Sequence, residues 1–186
     1  GYEDTGEDRK RRRSAEMSVL ESVKNTLGPF SLSSGEMRGG EPFFVIRREA
    51  VKEACLNLKL ERGFAYLSDI TAVDYLGERA GARFEVIYNT VRFDSRYNEE
   101  MRVFLKVPLD ADMLRLETVS SVWKGADWLE REVFDMFGIV FNGHPDMRRI
   151  LLPEDFEGFP LRKDFDVRDR EPAKRSFEKA LKEGNF

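Results

Sequence analysis

Residues 130–165 read EREVFDMFGIVFNGHPDMRRILLPEDFEGFPLRKDF. The segment opens as a helix, stops at Gly138, turns through Asn142-Gly143 and His144-Pro145, and runs on as proline-punctuated chain carrying paired cations. A plain linker would lose its apolar residues as it gained Pro and Gly, yet this one keeps Phe141, Ile150, Leu151, Leu152, Phe156, Phe159, Leu161 and Phe165. Something must cover them. At about 100° per residue, Leu129, Val133, Met136 and Phe137 share one sector of the helix, Phe134 widens it, and Arg131 with Asp135 falls opposite as an i, i+4 pair. Glu130 projects into the apolar sector, where a lone carboxylate is costly to desolvate unless a cation and hydrogen bonds meet it. Arg148, Arg149 and Arg162 are the nearest candidates, so Glu130 is expected to tie the helix to the extended segment. The alternative is a helix-end glutamate whose long side chain reaches water.

Working outward, Thr118–Trp123 reads as a short helical turn before the helix at 126–137, with Trp123 and Trp128 as packing anchors, and Ile139–Phe141 as an edge strand after it. Upstream, Phe84, Val86 and Tyr88 alternate with polar residues, as do Met101, Val103, Leu105 and Val107, with turn residues at 94–98 between them. Two such strands form an antiparallel hairpin with one buried face. Phe64–Tyr75 supplies a further strand ahead of the Gly77–Gly81 turn. A helix over 49–62 presents Val51, Ala54, Cys55 and Leu58, a weak strand covers 42–47, and 30–41 is expected to be a Ser/Gly-rich loop. A helix from Ala15, capped by Ser14 and striped by Met17, Leu20, Val23 and Leu27, ends at Gly28-Pro29. A C-terminal helix over 172–183 carries Phe177, Ala180 and Leu181 on one face. The fold class is therefore α+β, with helices packed on a mixed, partly antiparallel sheet and an extended C-terminal arm. The expected divisions are a polar basic tail at 1–14, an α+β domain at 15–141 and a partner-docking arm at 142–186, largely mobile before assembly.

The 130–165 stretch also resembles the C subunit of respiratory complex I, the NADH-quinone oxidoreductase. The resemblance rests on Glu130-Arg131-Glu132, Asp135-Met136-Phe137-Gly138, Gly143-His144-Pro145-Asp146, Arg148-Arg149-Ile150-Leu151, Pro153-Glu154-Asp155 and Pro160-Leu161-Arg162-Lys163-Asp164-Phe165. A weaker likeness runs back to about Phe64 through Leu67-Ser68-Asp69 and Val73-Asp74-Tyr75. Phe159 departs from the pattern, standing where the family commonly has a histidine, and points to a divergent branch. The resemblance implies an accessory subunit of the peripheral arm with no redox centre, packed against the large quinone-site subunit and neighbouring iron-sulfur subunits. FMN or another donor cofactor, the iron-sulfur clusters and the quinone would lie in those partners, and electron transport and proton translocation would belong to the complex. It also implies peripheral placement at the cytoplasmic face of the inner or plasma membrane. Glu130, Arg131, Glu132, Asp135, Gly138, His144, Pro145, Asp146, Arg148, Arg149, Pro160, Leu161, Arg162, Lys163, Asp164 and Phe165 carry over as interface or structural residues. The rival within the resemblance is the equivalent subunit of a membrane-bound hydrogenase or a coenzyme F420-type dehydrogenase complex.

Composition agrees with an assembly part. The 186 residues suit one domain, and a net charge of -4 with 35% charged residues fits neither a bulk nucleic-acid binder nor an acidic disordered chain. The basic run Arg9–Arg13 reads as a solvated tail, or else as an arm for anionic lipid or an acidic partner. Fifteen phenylalanines suit a core plus surface buried against partners. One cysteine, Cys55, makes neither an internal disulfide nor a cluster ligand set, and one histidine leaves little for zinc. No apolar run approaches the roughly 20 residues that span a bilayer. His144 has no nucleophile placed by any motif, Glu130 and Glu132 point apart on a helix, and the arginine pairs lack a glycine-rich phosphate loop. No catalytic, cofactor-binding or metal-ligating residue is expected in this chain.

Overall fold

The structure, a computed structural model, describes residues 6–78, 80–166, 168 and 171–183. The elements are α1 (Gly6–Leu27), β1 (Ser31–Glu36), β2 (Pro42–Ile46), α2 (Val51–Arg62), β3 (Tyr66–Asp74), β4 (Phe84–Phe93) and β5 (Glu99–Leu109). After them come β6 (Arg115–Glu117), α3 (Ala126–Phe137), β7 (Val140–Asn142) and α4 (Glu171–Glu183). The side chains of Arg9–Arg13, Phe177 and Ala180, on which the tail and the C-terminal helix face were argued, lie outside the described residues.

Alternation builds the sheet. Phe84, Val86, Tyr88, Val103, Leu105 and Val107 all point to one buried face, as their period of two demands. The five strands take the order β1-β2-β5-β4-β3, antiparallel throughout except for the β2–β5 pair. Val23 and Leu27 of α1, Val51, Ala54, Cys55 and Leu58 of α2, and Ala126, Val133 and Phe137 of α3 close over that face as one core. The expected α+β architecture is the one observed. A small parallel pair, β6–β7, brackets α3 and sets the root of the arm. Trp123 is an anchor as expected, buried with its indole N–H donating to Phe64 O at 3.1 Å. No helix among the described residues is long and apolar enough to cross a membrane.

Three expectations change. The Ser/Gly stretch at 30–41 contains strand β1 rather than only loop. Its low β-propensity is overridden by pairing with β2, and Gly35 fits because a Cβ there would stand 2.8 Å from the Phe43 ring that lies across it. The first helix begins at Gly6, so Ser14 is interior to it rather than its cap, and Met17 is exposed rather than part of a buried stripe. Trp128, expected to be an anchor, is 63% exposed.

The β4–β5 turn is held by Asp94, whose carboxylate accepts the N–H groups of Arg96 and Asn98, and it places Tyr97 at φ +62°. That left-handed conformation strains a side chain, and Tyr97 is 88% exposed. Tyr97→Gly is expected to raise stability by about 0.5–1 kcal/mol, read as a higher urea midpoint at unchanged slope.

Candidate functional site

The site is the seam between α3 and the arm, and Asp135 organises it. The helical wheel puts Asp135 on the outer face, paired with Arg131. Instead it is fully buried, because the arm folds back over that face. Its Oδ1 accepts Arg149 Nη1 at 2.6 Å, and its Oδ2 accepts the backbone N–H groups of Ile150, Leu151 and Leu152 at 3.0, 2.7 and 2.9 Å. Burial pushes this carboxyl up, but the guanidinium and the backbone donors outweigh it and hold it below the ordinary range. Arg149 also donates to Asp135 O, Phe156 O and Gly158 O, closing the Pro153 loop onto the helix. Arg131 stacks on the Trp128 ring at 5.3 Å and donates to Arg148 O and Arg149 O, so the predicted Arg131–Asp135 pair does not form.

Glu130 is corrected as well. It meets none of the arginines, and it does not reach water: it is 0% exposed. Its Oε2 lies 2.5 Å from Thr118 Oγ1, and its Oε1 accepts Val119 N–H at 2.7 Å. The carboxylate that ties the helix to the arm is Asp135, one turn later. Glu132, two residues after Glu130, is exposed.

At the helix end Gly138 takes φ +71° as the C-cap, donating its N–H to Phe134 O at 2.8 Å. A Cβ there would meet Arg162 Nη2 at 2.5 Å and the Phe159 ring at 2.6 Å. Arg162 Nε donates to Phe137 O at 2.6 Å, and its guanidinium lies over Phe159 at 4.4 Å and Phe84 at 5.4 Å. Burial pulls its pKa below that of an ordinary arginine. Phe159 thus supplies a flat apolar face for a cation. Pro160, half-buried, precedes Leu161, whose N–H reaches Met136 O at 3.2 Å while its side chain stays exposed.

Farther on, Asp74 at the end of β3 accepts Arg83 Nε at 3.0 Å and Nη2 at 2.8 Å, Lys163 N–H at 2.9 Å and Leu76 N–H at 3.0 Å. The Arg83 guanidinium first, with both backbone donors, pulls its carboxyl down to about 2 against the burial that opposes them. Arg83 also pairs with Asp164 at 2.9 Å, Lys163 pairs with Glu78, and Phe165 packs on Phe156 with ring centroids 6.1 Å apart. The arm, expected to be largely mobile, is fastened at Asp135, Phe137 and Asp74.

His144 is tied at both ring nitrogens: Nε2 to Asp127 O at 3.1 Å, Nδ1 accepting Asp146 N–H at 3.0 Å. This is a turn histidine bonded to its own chain. Pro145 is exposed, and Asp146 pairs with Arg148 at 2.6 Å on the surface. Cys55 is fully buried, and burial pushes its thiol up, with the Glu130 charge adding to it. Sequence reasoning gave no role to Thr118, Asp74 or Arg83. Asp74 alone had a signal, in Val73-Asp74-Tyr75 within the weaker likeness.

Residues 44–171 match the profile of the respiratory-chain NADH dehydrogenase, 30 kDa subunit. The NADH-quinone oxidoreductase C subunit of Geobacter sulfurreducens is 45% identical over 137 residues, covering 73% of this chain and 82% of that protein. Among solved structures, the trypsin-resistant fragment (1-134) of Nqo5 superposes with a TM-score of 0.60 at 35% identity, covering 70% of this chain and 97% of the fragment. A chain of the membrane-bound sulfane sulfur reductase, an archaeal respiratory membrane complex, superposes with a TM-score of 0.67 at 26% identity, covering 87% and 92%. The chain belongs to the 30 kDa subunit family of the respiratory-chain NADH dehydrogenase, the C-subunit family of complex I.

Two outcomes follow from the seam. Asp135→Ala strands Arg149 half-buried and frees three N–H groups, so it should destabilise the chain by about 3–5 kcal/mol in urea and expose the arm to trypsin, whereas Asp146→Ala on the surface should change little. Asp74 titrates at about 2 when folded against 3.8 in its ordinary state, so its stabilising contribution is present above about pH 4 and is lost as pH falls through about 2. Arg83→Gln should remove most of that acid dependence in a pH series of urea melts.

Proposed function

We propose that this chain is the C subunit of a proton-translocating NADH-quinone oxidoreductase. In this reading it is an accessory subunit that holds no redox centre and fastens the quinone-site subunit to neighbouring iron-sulfur subunits. The observation that carries the reading is the family match, which runs from the sheet into the strapped arm and includes the whole seam. The seam supports the assembly role. Asp135, Arg149, Arg162 and Lys163 are spent on internal bonds, while Trp128, Leu151 and Leu161 stand 63%, 62% and 55% exposed along it. An indole stacked with a guanidinium, beside leucines on a stiff strap, is the kind of surface that buries well against another protein. Flavin, iron-sulfur clusters and quinone then belong to partner subunits, and the chain sits peripherally at the cytoplasmic face through them.

The likeness to the archaeal sulfane sulfur reductase complex favours a second reading, in which the chain serves a related membrane machine such as a hydrogenase or a coenzyme F420-type dehydrogenase. A tagged chain recovered from gently solubilised membranes, with partners read by mass spectrometry and centres by low-temperature EPR, separates the two. The first reading expects a flavoprotein, iron-sulfur subunits and the quinone-site subunit, while nickel and hydrogenase partners select the second. Recovery of the chain alone overturns both. In the same experiment Trp128→Ala with Leu151→Ser should leave the isolated chain's stability within about 1 kcal/mol and sharply reduce partner recovery.

A further inference from the structure

Glu130 is a buried carboxyl to which the seam gives no ionic work. Among the described residues no lysine or arginine pairs with it; His144, whose Nδ1 accepts the Asp146 N–H, has Nε2 3.9 Å from Oε2. The titratable groups around it are Asp127 on its own helix, His144 at the root of the arm, Lys52 and Cys55 on α2, and Tyr88 on β4. The Tyr88 hydroxyl is buried with no hydrogen-bond partner among the described residues. What Glu130 does have is a hydroxyl chain. Thr118 Oγ1 lies 2.5 Å from Glu130 Oε2 and 2.8 Å from Ser120 Oγ, and it accepts Ser120 N–H at 3.1 Å. Thr118 is buried, while Ser120 is half-buried and so partly open to solvent.

We propose that Glu130 is a proton-binding site loaded from solvent through the hydroxyls of Ser120 and Thr118. The chain is satisfied in both protonation states. With Glu130 ionised, Ser120 donates to Thr118 Oγ1 and Thr118 donates to Oε2. With Glu130 neutral, its O–H donates to Thr118 Oγ1, Thr118 donates to Ser120 Oγ, and Oε1 keeps the Val119 N–H. Loading passes one proton inward by three transfers. Hydronium gives a proton to Ser120 Oγ, which releases its own to Thr118 Oγ1, which releases its own to Oε2, and both hydroxyls end reversed. Three O–H bonds break and three form, and the net change is one proton from hydronium to the carboxylate, with neutral water left behind.

The same geometry sets the operating range. Burial, opposed by Thr118 and Val119, places the Glu130 pKa at about 7. The folded chain then holds a proton between about pH 4.5 and about 7 that the unfolded chain releases, so stability falls as pH rises through that window. This is opposite in sign to Asp74 and Asp135. Because the site joins α3, the Thr118 turn and His144, its proton sits at the root of the arm.

Carboxyl-carbon NMR of the full chain with labelled glutamate, followed from about pH 5 to about pH 8, tests this. A resonance absent from Glu130→Gln should titrate with a midpoint near neutrality as one averaged peak. In Ser120→Ala the midpoint should stay and the peak should split into two slowly exchanging lines, because the relay is cut while the carboxyl is untouched. In Thr118→Val the midpoint should rise further, because the ionised form loses its hydroxyl donor. A Glu130 resonance that stays ionised through the range overturns the proposal, as does a Ser120→Ala chain that still titrates as one averaged peak. Ser120→Ala leaves Glu130 in place, so it remains decisive even where Glu130→Gln does not fold.

Discussion

The bond between Asp135 and Arg149 is what the rest of the seam depends on. A buried ion pair returns its desolvation only when the remaining hydrogen-bonding capacity of both partners is met, and here it is. The aspartate takes the guanidinium and three consecutive backbone N–H groups, and the guanidinium reaches one carbonyl on α3 and two along the arm. Residues 149–158 are thereby closed into a loop on the side of α3. That closure aims the following chain at the helix end, where Arg162 finds Phe137 O and Gly138 leaves room for it. Lys163 then lies in reach of Asp74 on the sheet.

Three carboxyls in one seam are pushed in different directions by the same physics. Asp74 and Asp135 each have a guanidinium and two or three backbone donors, and both lie below the ordinary range despite burial. Glu130 has one hydroxyl and one backbone donor, no arginine or lysine pair among the described residues, and burial prevails. Two things separate them: Glu130 sits where burial weighs most and has fewer donors against it, whereas a guanidinium and two or three backbone donors prevail over burial at Asp74 and Asp135. The first two are mechanical fastenings and the third is left free to hold a proton.

This division bears on how a member of the complex I assembly is used. Asp135–Arg149, Arg162 and Lys163 hold the arm to its own domain, and a strap shaped in advance would lose less freedom on docking. Trp128, Leu151 and Leu161 remain exposed along it.

Local pattern by itself determined the α+β class, the β4–β5 hairpin and its inward face, the helix at 126–137 with its glycine stop, and Trp123 as an anchor. Each follows from periodicity or capping within about a dozen residues, and the motifs in 130–165 were specific enough to point to the family. Which partners the two carboxylates find, and that Asp135 is buried at all, was decided only by the tertiary structure. On a wheel Asp135 is the outer residue and Glu130 the stranded one, because a wheel describes a helix with one covered face. Here the arm covers the second face, so Asp135 gains Arg149 and three backbone donors, while Glu130 is served from Thr118, Val119 and a hydroxyl chain no spacing rule anticipates. Trp128 stayed outside for the same reason, stacked on Arg131 instead of filling the core. Strand β1 emerged from a loop-like composition because an edge pairing with β2 supplies the backbone bonds that its own residues do not encode. Long-range contacts of this kind join residues 59 to 89 positions apart, as Trp123 joins Phe64 and Lys163 joins Asp74, and local sequence carries no term for them.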